Sequence, residues 1–204
     1  MMRNINWPGL LSIAFMLLIL YASLAYGAPW WRLEVGDGLG HANVSPLDIE
    51  IEVMGNAIDV PLLKFITFGT KATWAIVAAI MLVYSLDASP KNSKTLLNLS
   101  YRKPVYYVAA MILIGLVGRL AVGEYLQISI PFVGTSNLTF HAQGDTVSMP
   151  LKASLTWLFW AAMACASLSV ATRLYHEKFE HQHRKSPLGD QRESESSRWR
   201  KVSQ

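Results

Sequence analysis

Charge and cysteine are what this chain has least of. Charged residues fill 16% of its 204 positions, against about 25% in soluble globular domains. That shortage excludes an ordinary water-facing surface. Cys165 is the only cysteine, so no disulfide can form within the chain and no Cys-x-x-Cys motif exists. Also missing are His-Glu-x-x-His, a Gly-x-Ser-x-Gly nucleophile elbow and a phosphate-binding glycine loop. The expectation is a protein that is not an enzyme and that holds no cofactor and no metal. Its net charge of +4 comes from a one-sided basic rim, and no nucleic-acid partner is expected.

Apolar residues dominate instead. They make up 52% of the chain and gather in four runs, 8–28, 65–86, 104–123 and 153–175. Each run is close to the roughly 20 residues a helix needs to cross a hydrocarbon core. Residues 1–175 therefore read as one four-span membrane domain embedded in a lipid bilayer. Lys and Arg set its orientation, because cytoplasmic loops keep them and translocated loops lose them. The inner loop 87–103 holds Lys91, Lys94, Arg102 and Lys103, and the segment beyond Leu174 adds seven more bases. In contrast, 28–63 has Arg32 as its only base, and 124–151 has none. This pattern predicts a multi-pass protein of the cell membrane, with both termini cytoplasmic and outer loops at 29–64 and 124–152. The basic inner rim favours anionic lipids of the cytoplasmic leaflet.

The N-terminus allows two readings. "MMRNINW" and the apolar run behind it have the form of a signal peptide, with Ala25-Tyr26-Gly27 as the cleavage site, which would leave three spans. The run is long for such a peptide and Pro29 follows close behind, which favours an uncleaved helix. Trp30 and Trp31 would then form an interfacial belt at the outer surface, matched by Trp7 at the inner one.

Both outer loops carry strand signals. Ile49, Ile51 and Val53 alternate with Asp48, Glu50 and Glu52, and Gly55-Asn56 reads as a turn into a short strand "AIDV". In the second loop Leu126, Ile128 and Ile130 alternate with Gln127 and Ser129, and "NLTFHAQGDTVSMPL" has a turn at Gly144-Asp145. A lone hairpin is marginal in water, so the two units are expected to pair into one small extracellular antiparallel sheet. "MGNAIDVPLLK" and "QGDTVSMPLK" echo each other ahead of a span with Thr-Trp, through duplication or through convergence on the same entry into the membrane. The expected fold class is a membrane all-α four-helix bundle with a small extracellular β-sheet formed by the two outer loops.

"PWWRLEVG", directly after the first apolar run, resembles the start of the first outer loop in the claudin/PMP22 tetraspan superfamily. Pro29, Trp31, Arg32, Leu33 and Gly36 map onto that family's first strand, and Lys71-Ala72 resembles the basic residue and alanine that open its second span. The resemblance implies a four-span architecture over 1–175, with strands in a longer first loop. The family's Gly-Leu-Trp motif and paired loop cysteines are missing here. The strands and the bundle must then hold the sheet without a staple.

Charges inside the spans are the next candidates. Lys71 and Arg119 can snorkel to the headgroups, with Arg119 pairing to Glu124 at the rim, or together with Glu124 they can form a polar groove for a ligand, ion or partner. Small residues four apart, Ala162/Ala166 and Ser167/Ala171, allow close helix approach, as does Gly118 with Val122 one turn further on, either within the chain or against a partner subunit. Trp157, Phe159 and Trp160 read as interfacial anchors or as an aromatic cage. His176, His181 and His183 are a loose metal site or a solvated tail. His41 and His141 lie one in each outer loop, where protonation would alter the sheet if they are not merely exposed. Asp48, Glu50 and Glu52 form a cation-attracting stripe or a solvated strand face. Asn43 and Asn137 stand in glycosylation sequons. Residues 176–204 read as a disordered cytoplasmic tail, with serines open to phosphorylation and a basic "RWRK" that can meet lipid.

These features predict an integral membrane structural or interaction protein. It would assemble laterally as a homo-oligomer or contact protein partners through its extracellular sheet. The alternative is an accessory subunit of a membrane transport or redox complex, in which Lys71, Arg119 and Glu124 line a polar interface.

Overall fold

Asn6 opens the first helix. Its side-chain oxygen accepts from the Gly9 amide at 3.2 Å, the N-cap bond that satisfies one orphan donor of a helix start. Helix α1 (Trp7–Tyr26) ends at Gly27, whose φ of +56° closes the turn, with the Ala28 amide reaching back to the Ala22 carbonyl at 3.4 Å. In the computed structural model, residues 6–86, 93–126, 130–142 and 145–177 are described. They add β1 (Trp31–Val35), β2 (Gly40–Val44), β3 (Ile49–Val53), β4 (Asn56–Ala57), α2 (Pro61–Leu86), α3 (Ser93–Leu126), β5 (Gly134–Ala142) and β6 (Asp145–Leu155). A last helix, α4, runs Trp157–Glu177.

The six strands form one antiparallel sheet in the order β4-β3-β2-β1-β6-β5. Strand β6 joins the two loops. It pairs with β5 from Ala142↔Asp145 to Gly134↔Ala153, and with β1 from Val35↔Leu151 to Trp31↔Leu155. Chain order places the sheet where α1 and α3 end and where α2 and α4 begin. All four helices are long and apolar enough to cross a membrane.

The alternation of 48–53 does become a strand, but several boundaries differ. The strand expected at "AIDV" is limited to Asn56–Ala57, and the turn before it is Met54-Gly55, with Met54 at φ +51° and Gly55 at φ +75°. The strand expected from Leu126 to Ile130 is corrected. Leu126 is still helical, Ile130–Val133 lies outside any strand, and 127–129 falls outside the described residues. The apolar run of the fourth span starts at 153, yet Ala153–Leu155 belongs to β6 because the ladder with β1 keeps those residues extended. Helix α3 starts at Ser93, well before the apolar run at 104, so Arg102 and Lys103 are helical rather than part of a loop. Hydropathy marks where a helix is apolar, and helical hydrogen bonding continues past that point.

Strand β2 carries no alternation to announce it. It forms because the Gly36–Leu39 turn folds the chain back on β1, with Gly36 at φ +59° and Gly38 at φ +100°. A side chain at Gly36 would also meet Leu39 Cδ1 at 2.9 Å.

The core gathers Met16, Ile19 and Ala22 of α1, Trp74, Val77 and Ala78 of α2, Val108 and Met111 of α3, and Leu158, Ala162 and Cys165 of α4. Trp74 is 1% exposed, and its indole N–H donates to the Met16 carbonyl at 3.0 Å. Deleting a buried tryptophan removes its transfer energy and leaves a cavity, so Trp74→Ala should lower stability by about 3–5 kcal/mol. Reversible unfolding in mixed micelles measures this. A loss below about 1 kcal/mol would mean that the site collapses fully or is not buried.

Candidate functional site

The sheet is fastened to the bundle through residues 29–31. The Trp30 amide donates to the Val44 carbonyl at 3.1 Å, and the Trp30 carbonyl accepts from the Thr156 amide at 3.0 Å. The Thr156 hydroxyl donates to the Pro29 carbonyl at 2.5 Å. Trp30 is 1% exposed and meets the Trp74 ring edge-on at 6.2 Å, while Trp74 lies 5.3 Å from Tyr107. The expectation that Trp30 belongs to an interfacial belt is therefore corrected. Adjacent residues of an extended chain point to opposite faces, so one tryptophan of the pair enters the bundle. Trp31 turns the other way, half-buried, and its indole N–H donates to the Phe132 carbonyl at 2.7 Å. Trp7, Trp157 and Trp160 stay well exposed, whereas Phe159 is buried.

The remaining residues of the family-like motif all lie in this strand or at its end. Arg32 Nε donates to Asn43 Oδ1 at 3.1 Å, and Asn43 Nδ2 donates to Glu50 Oε2 at 3.1 Å, a chain that crosses β1, β2 and β3. Leu33 stands opposite Ala42 and Ala153, and the Gly36 amide donates to the Pro150 carbonyl at 2.8 Å.

Lys71 is not a lone charge. Its ammonium lies 3.4 Å from Asp48, a partner that sequence reading places only in a carboxylate stripe. The β2–β3 turn makes this contact possible. Ser45 Oγ accepts from the Leu47 and Asp48 amides, Thr70 Oγ1 donates to the Pro46 carbonyl at 2.6 Å, and Leu47 is driven fully into the core. The other two carboxylates of the stripe are also engaged, Glu50 with Asn43 and Glu52 with His41 at 3.2 Å. The side chain of His141 lies outside the described residues.

Arg119 occupies different surroundings. It is exposed and borders a groove of about 230 Å³ lined by Trp31 and Val44 of the sheet, Ile130, Pro131 and Phe132, and one face of α3; Lys71 does not line it. Phe132 packs onto Gly115, where a Cβ would stand 2.2 Å from the ring, while a Cβ on Gly118 would meet nothing within 4 Å. The structure thus does not bring Lys71 and Arg119 into one site. Val122 and Glu124 fall on α3, but their side chains lie outside the described residues. Ala162 and Ala166 are buried in the core, so that small-residue pair packs within the chain.

The opposite end of the bundle is held by polar contacts. Asn6 Nδ2 donates to Tyr84 Oη at 3.2 Å and to the Thr172 carbonyl at 3.4 Å, and Ser12 and Ser169 share a hydrogen bond of 2.8 Å. Sequence reading missed Asn6, although an Asn just ahead of Pro8 is an N-cap signal. It had no signal for the Ser12–Ser169 pair. His176 meets the Tyr84 ring edge-on at 5.8 Å, while His181 and His183 fall outside the described residues. Among the described residues no group of three or more His, Cys, Asp and Glu is positioned to hold a metal ion.

The Lys71–Asp48 pair keeps 22% and 31% side-chain exposure, so solvent screens it and its coupling should be small, about 0.5–1 kcal/mol. A double-mutant cycle with Lys71→Met and Asp48→Asn, read by unfolding in mixed micelles, measures it. A coupling indistinguishable from zero would mean that the pair does not form or is fully screened by solvent. Comparison with family models, with curated proteins and with solved structures finds no match to this chain.

Proposed function

We propose that this chain is an integral membrane structural or interaction protein, claudin-like in architecture, that contacts partners through its extracellular sheet. In this reading α1 is retained, the chain passes the membrane at each of its four apolar helices, both termini are cytoplasmic, and the sheet is outside. One observation carries it: strands from both inter-helix segments form a single sheet, fixed to one end of the bundle through Trp30 and Thr156. Such a platform offers a rigid polar surface, crossed by the Arg32–Asn43–Glu50 chain, and the ends of four helices hold it in place. The placement of Lys and Arg in the sequence supports the orientation. Retention of α1 is supported by its seven buried residues and by the Asn6 and Ser12 contacts, which cleavage would remove.

The second reading, an accessory subunit of a larger membrane complex, draws on α3. Only 17% of its apolar window is buried, against 44% for α4. Helix α3 is thus the face most open to a lateral partner.

Single cysteines at Met54, Thr135 and Ser93, in a Cys165→Ser background, test the placement with an impermeant thiol reagent on intact cells. Labelling at 54 and 135 with protection at 93 is expected. The reverse pattern, or labelling at all three, would overturn the topology. Intact mass should show residues 1–27 still attached. In mild detergent a self-assembled oligomer favours the first reading, and stoichiometric co-purification with a larger complex favours the second.

A further inference from the structure

We propose that the groove beside Arg119 binds a phospholipid with an anionic headgroup, one acyl chain lying against α3 and the phosphate held by the guanidinium. The inference rests on the membrane placement proposed above and adds a ligand to it. Several observations converge. Among the described residues, Arg119 supplies the only charged side chain in a lining otherwise made of Trp31, Met111, Ile114, Phe132 and similar apolar groups. Of the four described arginines, Arg32, Arg102 and Arg173 each donate a hydrogen bond to a neighbouring side chain. Arg119 is exposed and forms no ion pair or hydrogen bond with any described residue, although it lies within the apolar run 104–123, four residues from its end. A guanidinium about one turn inside the end of that run reaches the headgroup level by extending its side chain, and its planar fork suits a phosphate better than a point charge would.

The apolar side of the groove fits a chain. From Arg119 back to Met111 the helix rises about 12 Å, and Gly118, having no side chain, leaves its floor open. A volume of about 230 Å³ is several times the roughly 30 Å³ share of one water, and its lining offers a water too few partners. The occupant that matches both ends is amphipathic and negatively charged. Free phosphate would leave the apolar length empty, and a neutral apolar molecule would make no use of the guanidinium.

The test is native mass spectrometry of the full chain in neutral detergent with added phosphatidylglycerol or phosphatidylcholine. One phosphatidylglycerol should be retained in clear preference to phosphatidylcholine. Arg119→Gln should weaken it by about tenfold or more, the loss of a charge-assisted hydrogen bond, and Arg119→Lys should restore part of it. Gly118→Leu should weaken both lipids, because its new side chain occupies the floor. Equal uptake of the two lipids, unchanged phosphatidylglycerol binding in both variants, or displacement by millimolar inorganic phosphate would each overturn the site. If a variant is not monodisperse, the decision passes to bromine-labelled phosphatidylglycerol on the wild-type chain. It should quench a fraction of tryptophan emission that Trp31→Phe removes, and no such difference overturns the site. Alkaline extraction of membranes separates the two levels. A chain released by carbonate removes the membrane reading and the lipid site together, whereas a resistant chain without variant-dependent binding removes the lipid site alone.

Discussion

Backbone hydrogen bonds between β1 and β6 join the two halves of the chain, with Trp31 opposite Leu155 and Val35 opposite Leu151. With Cys165 the only cysteine and buried in the bundle, no covalent link shares this task. Five register pairs must hold a loop that spans most of the sequence. Closing a longer loop costs only slightly more entropy than closing a short one, so a modest ladder is enough once both ends are anchored. The helices provide that anchoring. Strand β6 ends one residue before α4, and that residue, Thr156, makes the amide and hydroxyl bonds to Trp30 and Pro29. The sheet is thereby registered on the bundle at the point where its central pairing begins.

Inside the bundle, specificity comes from a few polar groups among many apolar ones. Apolar burial is non-directional, so apolar area alone does not tell helices how to meet. Hydrogen bonds across the helices do. The Ser12–Ser169 bond aligns α1 with α4, Trp74 to Met16 aligns α2 with α1, and Asn6 ties the start of α1 to Tyr84 and to the Thr172 carbonyl. Gly9 lets α1 and α2 approach closely, since a Cβ there would stand 2.2 Å from Ser85 Oγ. Each of these bonds is modest, roughly 0.5–1.5 kcal/mol net, but together they fix rotation as well as distance.

Much of this could be read from the residues. Four helices follow from four apolar runs, and the strand at Ile49–Val53 follows from strict alternation. Strand β2 could not be read, because "GHANV" has no period of two and forms through its turn and its neighbours. The tryptophan pair misled for a related reason. Composition marks an aromatic next to an apolar run as a headgroup anchor, but the alternation of an extended chain sends Trp30 inward and Trp31 outward. Lys71 stands out in the sequence as a charge needing an explanation. Its partner was hidden because Asp48 lies on a turn whose descent onto α2 depends on Ser45 and Thr70. Pairings of this kind are tertiary, and no spacing in the sequence encodes them.

The features left open to the surroundings follow one another along the chain. Helices α1 and α4 bury 39% and 44% of their apolar windows, and α3 buries 17%. The groove continues from α3 through Ile130–Phe132, and β5, next in sequence, is the long outer strand of the sheet. The opposite edge, β4, is two residues long, and short edge strands resist pairing with a second chain. Strand β5 runs for nine residues, Gly134–Ala142, with no proline and no Lys or Arg to blunt it. What it does carry is Asn137, exposed and in a glycosylation sequon, where an attached sugar would obstruct strand addition. Among the described residues, α1, α2, α4 and β1–β3 make most of the packing and hydrogen-bond contacts, while the α3 face from Met111 to Arg119, the segment Ile130–Phe132 and strand β5 lie at the open side of the groove and sheet. Each of the four helices leaves more than half of its apolar window unburied, and α3 leaves the most, so the groove beside α3 is where that open face acquires a shape.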